Sequence, residues 1–213
     1  MAKVETRFFP YGEQETVYLS QADPLMGKAI EYLGPIERET LPDLFAALVY
    51  TIISQQISLK AVKTIWKRVL EGLDSLTPET VATLSLDEIK GWGLSFRKAG
   101  YIKTIAEMII VGDFQLEALR ELPDQEVIDR LSVLPGIGKW TGEIFLLHAL
   151  ERPDVLSWGD IAIRRGLMML HGLEVLIPEI FEIYRRKYSP YGSVASIYLW
   201  RISTYDKLPW LLE

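Results

Sequence analysis

From residue 22 onward, apolar residues recur every three or four positions, the spacing of helices that each bury one face. The first such segment begins at Asp23-Pro24, an N-cap residue followed by a proline at the first helical position. The pair Gly34-Pro35 ends it. Its apolar face consists of Leu25, Ala29, Ile30 and Leu33. This segment is therefore predicted to be an amphipathic helix.

The same combination of N-cap residue and apolar period predicts further helices along the chain. Their starts are indicated at Asp43, Ser58, Thr77, Ser85, Ser95, Asp124 and Lys139. Three more helices are expected near 161–171, 178–188 and 193–205. Ser85 and Glu88 form a capping box. The pattern gives about ten short helices with short connections and predicts an all-α fold.

The first 21 residues differ from the rest, since Pro10 and Gly12 interrupt them and Thr16 to Leu19 alternate. We therefore predict an N-terminal arm over 1–21, extended and carrying one short strand. A chain of 213 residues is long enough to split into two helical lobes around a cleft. We expect one lobe over about 41–150 and a second formed by 22–40 plus 151–213, together making a single unit over 1–213.

Composition removes several classes of site. The chain has no cysteine and only two histidines. This excludes disulfide scaffolds, cysteine nucleophiles, thiolate zinc sites and cysteine-ligated iron–sulfur clusters. Apolar runs are too short for a membrane span, and the N-terminus lacks the apolar core of a signal peptide. We therefore expect no membrane partner and a cytoplasmic protein of bacterial or archaeal type, or a nuclear one if eukaryotic.

The net charge of −6 argues against a nucleic-acid partner, because phosphate neutralisation favours basic surfaces. The charges are segregated, however. The stretch from Leu44 to Leu70 contains no acidic residue, whereas acids outnumber bases between Asp113 and Arg130. The basic residues of the first stretch are Lys60, Lys63, Lys67 and Arg68. Such segregation is compatible with one nucleic-acid-binding face on an acidic protein.

The segment Leu134-Pro135-Gly136-Ile137-Gly138-Lys139 lies between two predicted helices. Its two glycines permit a sharp turn and leave backbone N–H groups exposed at the start of the next helix. A helix N-terminus of this kind binds anions, and Lys139 adds a positive charge at the same place. The alternative is a tight turn between helices with no ligand.

A single acidic residue, Asp160, follows Trp158-Gly159 and precedes the predicted helix 161–171. Taken alone, Asp160 is most simply a helix N-cap. Asp160 is also a candidate catalytic residue, because it comes after the glycine-rich turn, one helix and a proline-containing loop.

The stretch LPGIGKWTGEIF over 134–145, followed by the loop that ends at Asp160, resembles the helix–hairpin–helix (HhH-GPD) DNA glycosylase superfamily. Four other stretches agree with the resemblance, which covers about 22–205. They are Asp23-Pro24, Ile53 to Ser58, Gly93 to Ile102, and Pro190 to Ser193 with Tyr198 to Trp200. Within the superfamily, the alkylation-repair branch of 3-methyladenine DNA glycosylase II is the most similar. The resemblance is to compact forms that lack an N-terminal β-rich domain.

The resemblance implies that Asp160 is the catalytic carboxylate, which stabilises positive charge on the deoxyribose and deprotonates water. Asp154 is the alternative, although a supporting role in the loop is its more natural interpretation. The substrate pocket would be formed by Trp140, Trp158, Trp200, Ile144 and Ile161. The last two stand where relatives have aromatic residues. The electron-rich faces of the tryptophans suit a cationic alkylated base. The alternative is that the tryptophans are simply large residues of the core.

The resemblance also implies the contacts with DNA. Gln56 would fill the gap left by the flipped base, and a solvated helix cap is the alternative. The remaining expected DNA-binding residues are Ser58, Ser95, Lys98, Gly136, Gly138, Lys139 and Thr141. No cofactor is expected to be required. A structural Na⁺ or K⁺ is expected at the backbone carbonyls of Ser132, Leu134 and Gly136.

In bifunctional relatives a lysine in the helix after the hairpin attacks the sugar, whereas this chain has Trp140 at that position. The expected function is therefore a monofunctional glycosylase without lyase activity, which releases alkylated purines such as 3-methyladenine or 7-methylguanine during base excision repair. Its partner is double-stranded DNA with a damaged base, and we expect a monomer. Two alternatives stay open: a non-catalytic helix–hairpin–helix DNA-binding module, and a glycosylase for deaminated or mismatched bases.

Overall fold

A computed structural model describes residues 1–209, and twelve α-helices make up most of this part of the chain. The helices of the first half are α1 (Glu13–Ala22), α2 (Pro24–Leu33), α3 (Leu44–Ser54), α4 (Leu59–Gly72), α5 (Pro78–Thr83) and α6 (Leu86–Gly91). Those of the second half are α7 (Phe96–Ile110), α8 (Asp124–Leu131), α9 (Lys139–His148), α10 (Ile161–His171), α11 (Pro178–Tyr188) and α12 (Gly192–Ile202). The all-α prediction is confirmed.

The only strands within residues 1–209 are two residues long. They are β1 (Arg7–Phe8) and β2 (Glu39–Thr40), which pair into a two-stranded sheet. Over the same residues, the structure contains no helix with the length and apolarity needed to cross a membrane.

The chain divides into two compact units. The first combines Met1–Arg7 with Thr40–Leu150, and the second combines Phe8–Glu39 with the chain from Glu151 onward. The first unit contains α3 to α9. The second contains α1, α2 and α10 to α12.

Helix α3 forms the centre of the first unit, because it is apolar around most of its circumference. Nine of its eleven residues are buried, and it contacts α4, α7 and α9. Leu48, Ile52 and Ile53 are among the largest fully buried side chains of the protein. The helix that ends at the Gln55-Gln56 pair is therefore fixed by the core on several sides.

The second unit is built on α12, in which nine residues are buried. Close approach between α10 and α12 depends on Gly166, where a Cβ atom would lie 2.2 Å from the Leu199 carbonyl oxygen. A buried polar cluster also joins α2, α10 and α11. Asp23 Oδ2 accepts a hydrogen bond of 2.7 Å from the Tyr188 hydroxyl and lies 3.1 Å from His171 Nε2.

The N-cap residues identified in the sequence begin the helices they were expected to begin. The side chains of Asp23, Asp43, Ser58, Thr77, Ser85, Ser95 and Asp160 all accept hydrogen bonds from backbone N–H groups in the following first turn. Each cap of this kind contributes about 1 kcal/mol to stability.

The expectation of an extended N-terminal arm is wrong for its second half, where 13–22 form α1. The Gly12 backbone N–H donates to Glu15 Oε2 over 2.8 Å, which begins the helix without a capping side chain at Gly12. Leu19 is the only residue of α1 that is fully buried, so the helix presents a narrow apolar face to α2.

Candidate functional site

The glycine-rich turn between α8 and α9 has a conformation that requires glycine at one position. Gly136 has a φ of +81°, and a Cβ atom there would lie 2.2 Å from Cδ2 of Tyr101. Buried Leu134 and Ile137 anchor the turn, and the Ile137 N–H donates to the Leu134 carbonyl over 3.2 Å. The turn is therefore packed directly against α7.

The start of α9 has the features of an anion-binding helix N-terminus. Gly138 is the N-cap residue and supplies no side-chain cap for the first N–H groups of the helix. Lys139 follows with a side chain that is 75% exposed and whose ammonium lies 3.9 Å from Glu143. An exposed pair at that distance is weak, so the ammonium can turn toward an external phosphate.

The two residues of the Gln55-Gln56 pair differ, since Gln55 is hydrogen-bonded within the protein and Gln56 is exposed. Gln55 Nε2 donates to the Gly136 carbonyl over 2.9 Å and to Thr141 Oγ1 over 3.3 Å, which ties the end of α3 to the turn. Gln56 is exposed and has a φ of +57°, a conformation rare for residues other than glycine. Such strain is commonly found at binding sites.

Two residues expected to contact DNA have side chains that face the protein. Thr141 is buried, and its hydroxyl accepts the hydrogen bond from Gln55. Lys98 Nζ donates to the carbonyl oxygens of Ile53 and Gln55 at 2.8 and 2.5 Å. Burial lowers the pKa of the Lys98 ammonium. These side chains fix the loop that carries Gln56.

Ser58 and Ser95 begin α4 and α7. Ser58 Oγ accepts from the Ala61 N–H, and Ser95 Oγ accepts from the Lys98 N–H, both over 3.3 Å. Both serines are exposed. Each is therefore a helix cap on the surface of the first unit, and contact with DNA remains a prediction for both.

The carbonyl groups expected to hold a monovalent cation already accept some internal hydrogen bonds. The Leu134 oxygen accepts from Ile137 N, and the Gly136 oxygen accepts from Gln55 Nε2. A carbonyl oxygen has two lone pairs, so each can still coordinate an ion. A Na⁺ or K⁺ ion at the carbonyls of Ser132, Leu134 and Gly136 remains a prediction.

The predicted pocket residues of the first unit lie on α9. Trp140 is half-buried, and Ile144 is buried in the core. The predicted catalytic and remaining pocket residues belong to the second unit.

Asp160 is buried at the start of α10, with only 8% of its surface exposed. Its Oδ1 atom accepts hydrogen bonds from the backbone N–H groups of Ala162 and Ile163 at 2.9 and 3.0 Å. The sequence-based reading of Asp160 as an N-cap is therefore correct. The same contacts fix the carboxylate at a helix N-terminus, where negative charge is favourable.

Asp154, the alternative carboxylate, is fully engaged in supporting the loop before Asp160. Its Oδ1 accepts from Arg185 Nη1 over 2.8 Å and from the Gly192 N–H over 3.1 Å, and its Oδ2 accepts from Ser189 Oγ over 2.7 Å. These contacts hold the loop against α11 and the start of α12. Asp154 therefore has a structural role.

Trp158 and Trp200, the two predicted pocket tryptophans of the second unit, each carry an arginine on a ring face. The Arg38 guanidinium carbon lies 4.7 Å from the ring centroid of Trp200, and that of Arg164 lies 4.8 Å from the centroid of Trp158. The two indoles are half-buried and attract cations. Sequence analysis missed these arginines, because 162 residues separate Arg38 from Trp200 and no local pattern joins them.

Ile161 lines a groove and is not part of the core, since 74% of its surface is exposed. The groove has a volume of about 450 Å³ and runs along α10. Its other lining residues include Arg164, Arg165, Met168 and Leu173.

Comparison with known proteins identifies relatives over most of the chain. Residues 49–186 match the family described as HhH-GPD superfamily base excision DNA repair protein. DNA-3-methyladenine glycosylase 1 of Schizosaccharomyces pombe is 29% identical over 195 residues, which cover 88% of this chain and 86% of the relative.

Two solved structures are similar to the whole fold. The S. pombe 3-methyladenine DNA glycosylase Mag1, in complex with abasic DNA, has a TM-score of 0.81 and is 27% identical, covering 91% of this chain and 98% of that one. A DNA-3-methyladenine glycosidase from Bacillus halodurans has a TM-score of 0.79 and is 32% identical, covering 97% of this chain and 99% of that one.

Proposed function

Because this chain belongs to the HhH-GPD superfamily of base excision DNA repair proteins, we propose that it is a DNA glycosylase that hydrolyses the N-glycosidic bond of alkylated purines. The buried carboxylate of Asp160, held at the N-terminus of α10, is the observation that carries this proposal. The names of the relatives support the class of substrate.

The reaction follows from the charge that develops on the sugar. As the bond between C1′ and the base nitrogen breaks, its electron pair leaves with the base and positive charge grows on the deoxyribose. The Asp160 carboxylate stabilises this charge and accepts a proton from the attacking water, whose oxygen bonds to C1′. The products are a free base and an abasic site.

Alkylated purines suit a site that has one carboxylate and several indoles. A purine methylated on a ring nitrogen is cationic and leaves readily, so little acid catalysis is needed. Selection then depends on stacking and cation–π attraction, for which Trp158 and Trp200, in the same unit as Asp160, are the candidates.

A second substrate class is favoured by one observation, the guanidinium groups stacked on Trp158 and Trp200. An arginine on an indole face repels a cationic base and competes for the same ring. If the arginines stay in place, neutral deaminated or mismatched bases would be accepted more readily than cationic ones. Release of 7-methylguanine and of hypoxanthine by the wild-type protein, measured side by side, separates the two classes.

Double-stranded DNA with a damaged base is the proposed partner, bound by a monomer. The uncapped N–H groups of α9 and the Lys139 ammonium would bind a phosphate, while Gln56 would occupy the space left by the flipped base. A Na⁺ or K⁺ at the turn carbonyls would add a positive charge beside that phosphate. No catalytic metal is required by this mechanism.

The direct test is Asp160→Asn, which keeps the hydrogen-bonding cap and removes the charge. Release of bases from methylated DNA, measured by mass spectrometry, should fall by about 10³-fold, while DNA binding persists. Asp43→Asn is the matched control, because Asp43 Oδ1 caps α3 through the Ala46 N–H over 2.9 Å. Unchanged release by Asp160→Asn would remove Asp160 from the mechanism.

We further propose that the enzyme has no lyase activity, since Trp140 cannot form a Schiff base and the neighbouring Lys139 is exposed near Glu143. Borohydride added during turnover should trap no covalent enzyme–DNA adduct. A trapped adduct that disappears in Lys139→Met would show that Lys139 acts as a nucleophile.

A further inference from the structure

Gln56 is held by its backbone neighbours, while its own side chain is exposed. It directly follows Gln55, the C-cap residue of α3, and adopts a left-handed conformation with a φ of +57°. Over residues 1–209 its side chain has no hydrogen-bond partner. A strained backbone persists only where surrounding contacts determine it, and such contacts are made by the residues just before Gln56.

Those contacts come from Lys98, on a different helix. Its ammonium, reaching from the first turn of α7, donates to the carbonyl oxygens of Ile53 and Gln55 at 2.8 and 2.5 Å. Carbonyl groups at a helix C-terminus lack partners within the helix and carry partial negative charge. The Lys98 ammonium supplies two of its three N–H donors to these carbonyl groups, and its positive charge is attracted to their partial negative charge.

Gln55 is fixed on its other side by the glycine-rich turn. Its side-chain amide donates to Gly136 and Thr141, while its carbonyl accepts from Lys98. The residue immediately before Gln56 is thus held between α7 and the start of α9. The next residue, Gln56, is exposed to solvent.

We propose that Lys98 is a positioning residue for base extrusion, whose ammonium holds the end of α3 so that Gln56 is presented to the gap in the duplex. This inference rests on the proposed function, since it assumes that Gln56 enters DNA. It assigns Lys98 an internal role, in contrast to the DNA contact expected from the sequence. The two roles predict different dependences on DNA structure and on salt.

Helix α7 provides a matched control. Lys103 Nζ donates to the carbonyl oxygens of Ala82 and Leu84, at the end of α5, over 3.0 and 2.7 Å. It therefore makes the same kind of helix-end contact as Lys98 at a site away from Gln56. Substituting each lysine by methionine removes an equivalent pair of hydrogen bonds.

The experiment measures affinity for two duplexes, one undamaged and one with a tetrahydrofuran abasic analogue opposite 2-aminopurine. Lys98→Met should lower the preference for the abasic duplex by about tenfold, with a parallel loss of the 2-aminopurine fluorescence change. Lys103→Met should change that preference by less than about twofold. Lys98→Arg should keep most of the preference for the abasic duplex, because a guanidinium can still donate two hydrogen bonds to the two carbonyl groups.

A double-mutant cycle with Gln56→Ala tests the route of the effect. If Lys98 acts through Gln56, the double variant Lys98→Met/Gln56→Ala should prefer the abasic duplex as much as the single variant Gln56→Ala does. Equal weakening for both duplexes, with the salt slope reduced by about one, would instead identify Lys98 as a phosphate ligand. Additive losses, or equal losses in the Lys98 and Lys103 variants, would also overturn the proposal.

Two further outcomes are covered by the design. If Lys98→Met does not fold, as judged by circular dichroism, Lys98→Gln replaces it in the same cycle, because its amide retains one donor site for a carbonyl. If the wild-type protein releases no base from methylated DNA, the proposed function fails. Binding to the abasic duplex then still decides the role of Lys98.

Discussion

Replacing Gly136 by alanine should damage the turn between α8 and α9 in two separable ways. The φ of +81° places alanine in a left-handed conformation that L-residues avoid. In addition, the new Cβ would lie 2.2, 2.4 and 2.9 Å from Cδ2, Cε2 and Cγ of Tyr101. These separations are far below van der Waals contact, so the ring or the turn must move.

The expected cost follows from these two effects. The left-handed conformation costs roughly 1 kcal/mol for alanine, and overpacking against a ring costs roughly 1–3 kcal/mol. Gly136→Ala should therefore lower the free energy of unfolding by about 2–4 kcal/mol. DNA affinity should also fall, because Gln55 binds the displaced Gly136 carbonyl.

Gly138→Ala is the control for this experiment. Gly138 has a φ of −107°, and a Cβ atom there would meet nothing within 4 Å. Its free energy of unfolding should change by less than about 0.5 kcal/mol. Urea unfolding followed by tryptophan fluorescence measures both variants.

A third variant separates the two contributions. Combining Gly136→Ala with Tyr101→Ala removes the overlap with the ring but keeps the unfavourable φ. Gly136→Ala should therefore lower the free energy of unfolding by less in the Tyr101→Ala background than in the wild-type protein. Equal destabilisation by Gly136→Ala and Gly138→Ala would refute the reasoning.

Two other predictions concern the second unit. Burial alone raises the pKa of Asp23, but the hydrogen bonds from His171 and Tyr188, together with the Coulomb attraction of His171 and Lys187, outweigh it and lower the pKa to about 2. Ionised Asp23 therefore stabilises the fold above its ordinary pKa of 3.8, and this stability is lost as the pH falls toward 2. Asp23→Asn should thus reduce the dependence of unfolding on pH between these values, and an unchanged acid limb would contradict this. Arg38→Gln should raise release of cationic 7-methylguanine relative to neutral hypoxanthine by about fivefold, because it uncovers a face of Trp200. An unchanged ratio would show that Arg38 does not influence selection.

Helix starts could be predicted from the sequence because their cause is local. An N-cap side chain binds an N–H group two or three residues ahead, as Asp160 does with Ala162 and Ile163. The same reasoning failed at α1, where Gly12 supplies no capping side chain and the apolar face is narrow. A helix of that kind is stabilised by its packing against α2, which the sequence pattern does not reveal.

The parts of the candidate site that the sequence could place are those that lie within one short segment. The turn at Gly136 and the cap at Asp160 both follow from short segments of sequence. The contact of Lys98 with the end of α3 spans 45 residues, and that of Gln55 with Gly136 spans 81. Side chains that meet across such separations are determined by the fold, so their partners could not be read from local spacing.

Three arrangements that restrict the choice of residue lie around one loop of the first unit. Gln56 has a positive φ without being glycine, Lys98 places its ammonium against carbonyl groups, and Gly136 approaches an aromatic ring too closely for any side chain. Each of these arrangements costs stability or restricts the sequence, and each contributes to holding the end of α3 against the turn. Natural proteins accept such costs mainly where function requires a fixed geometry. The concentration of three of them beside an exposed glutamine is therefore independent physical support for placing the DNA-contacting edge of the first unit at this loop.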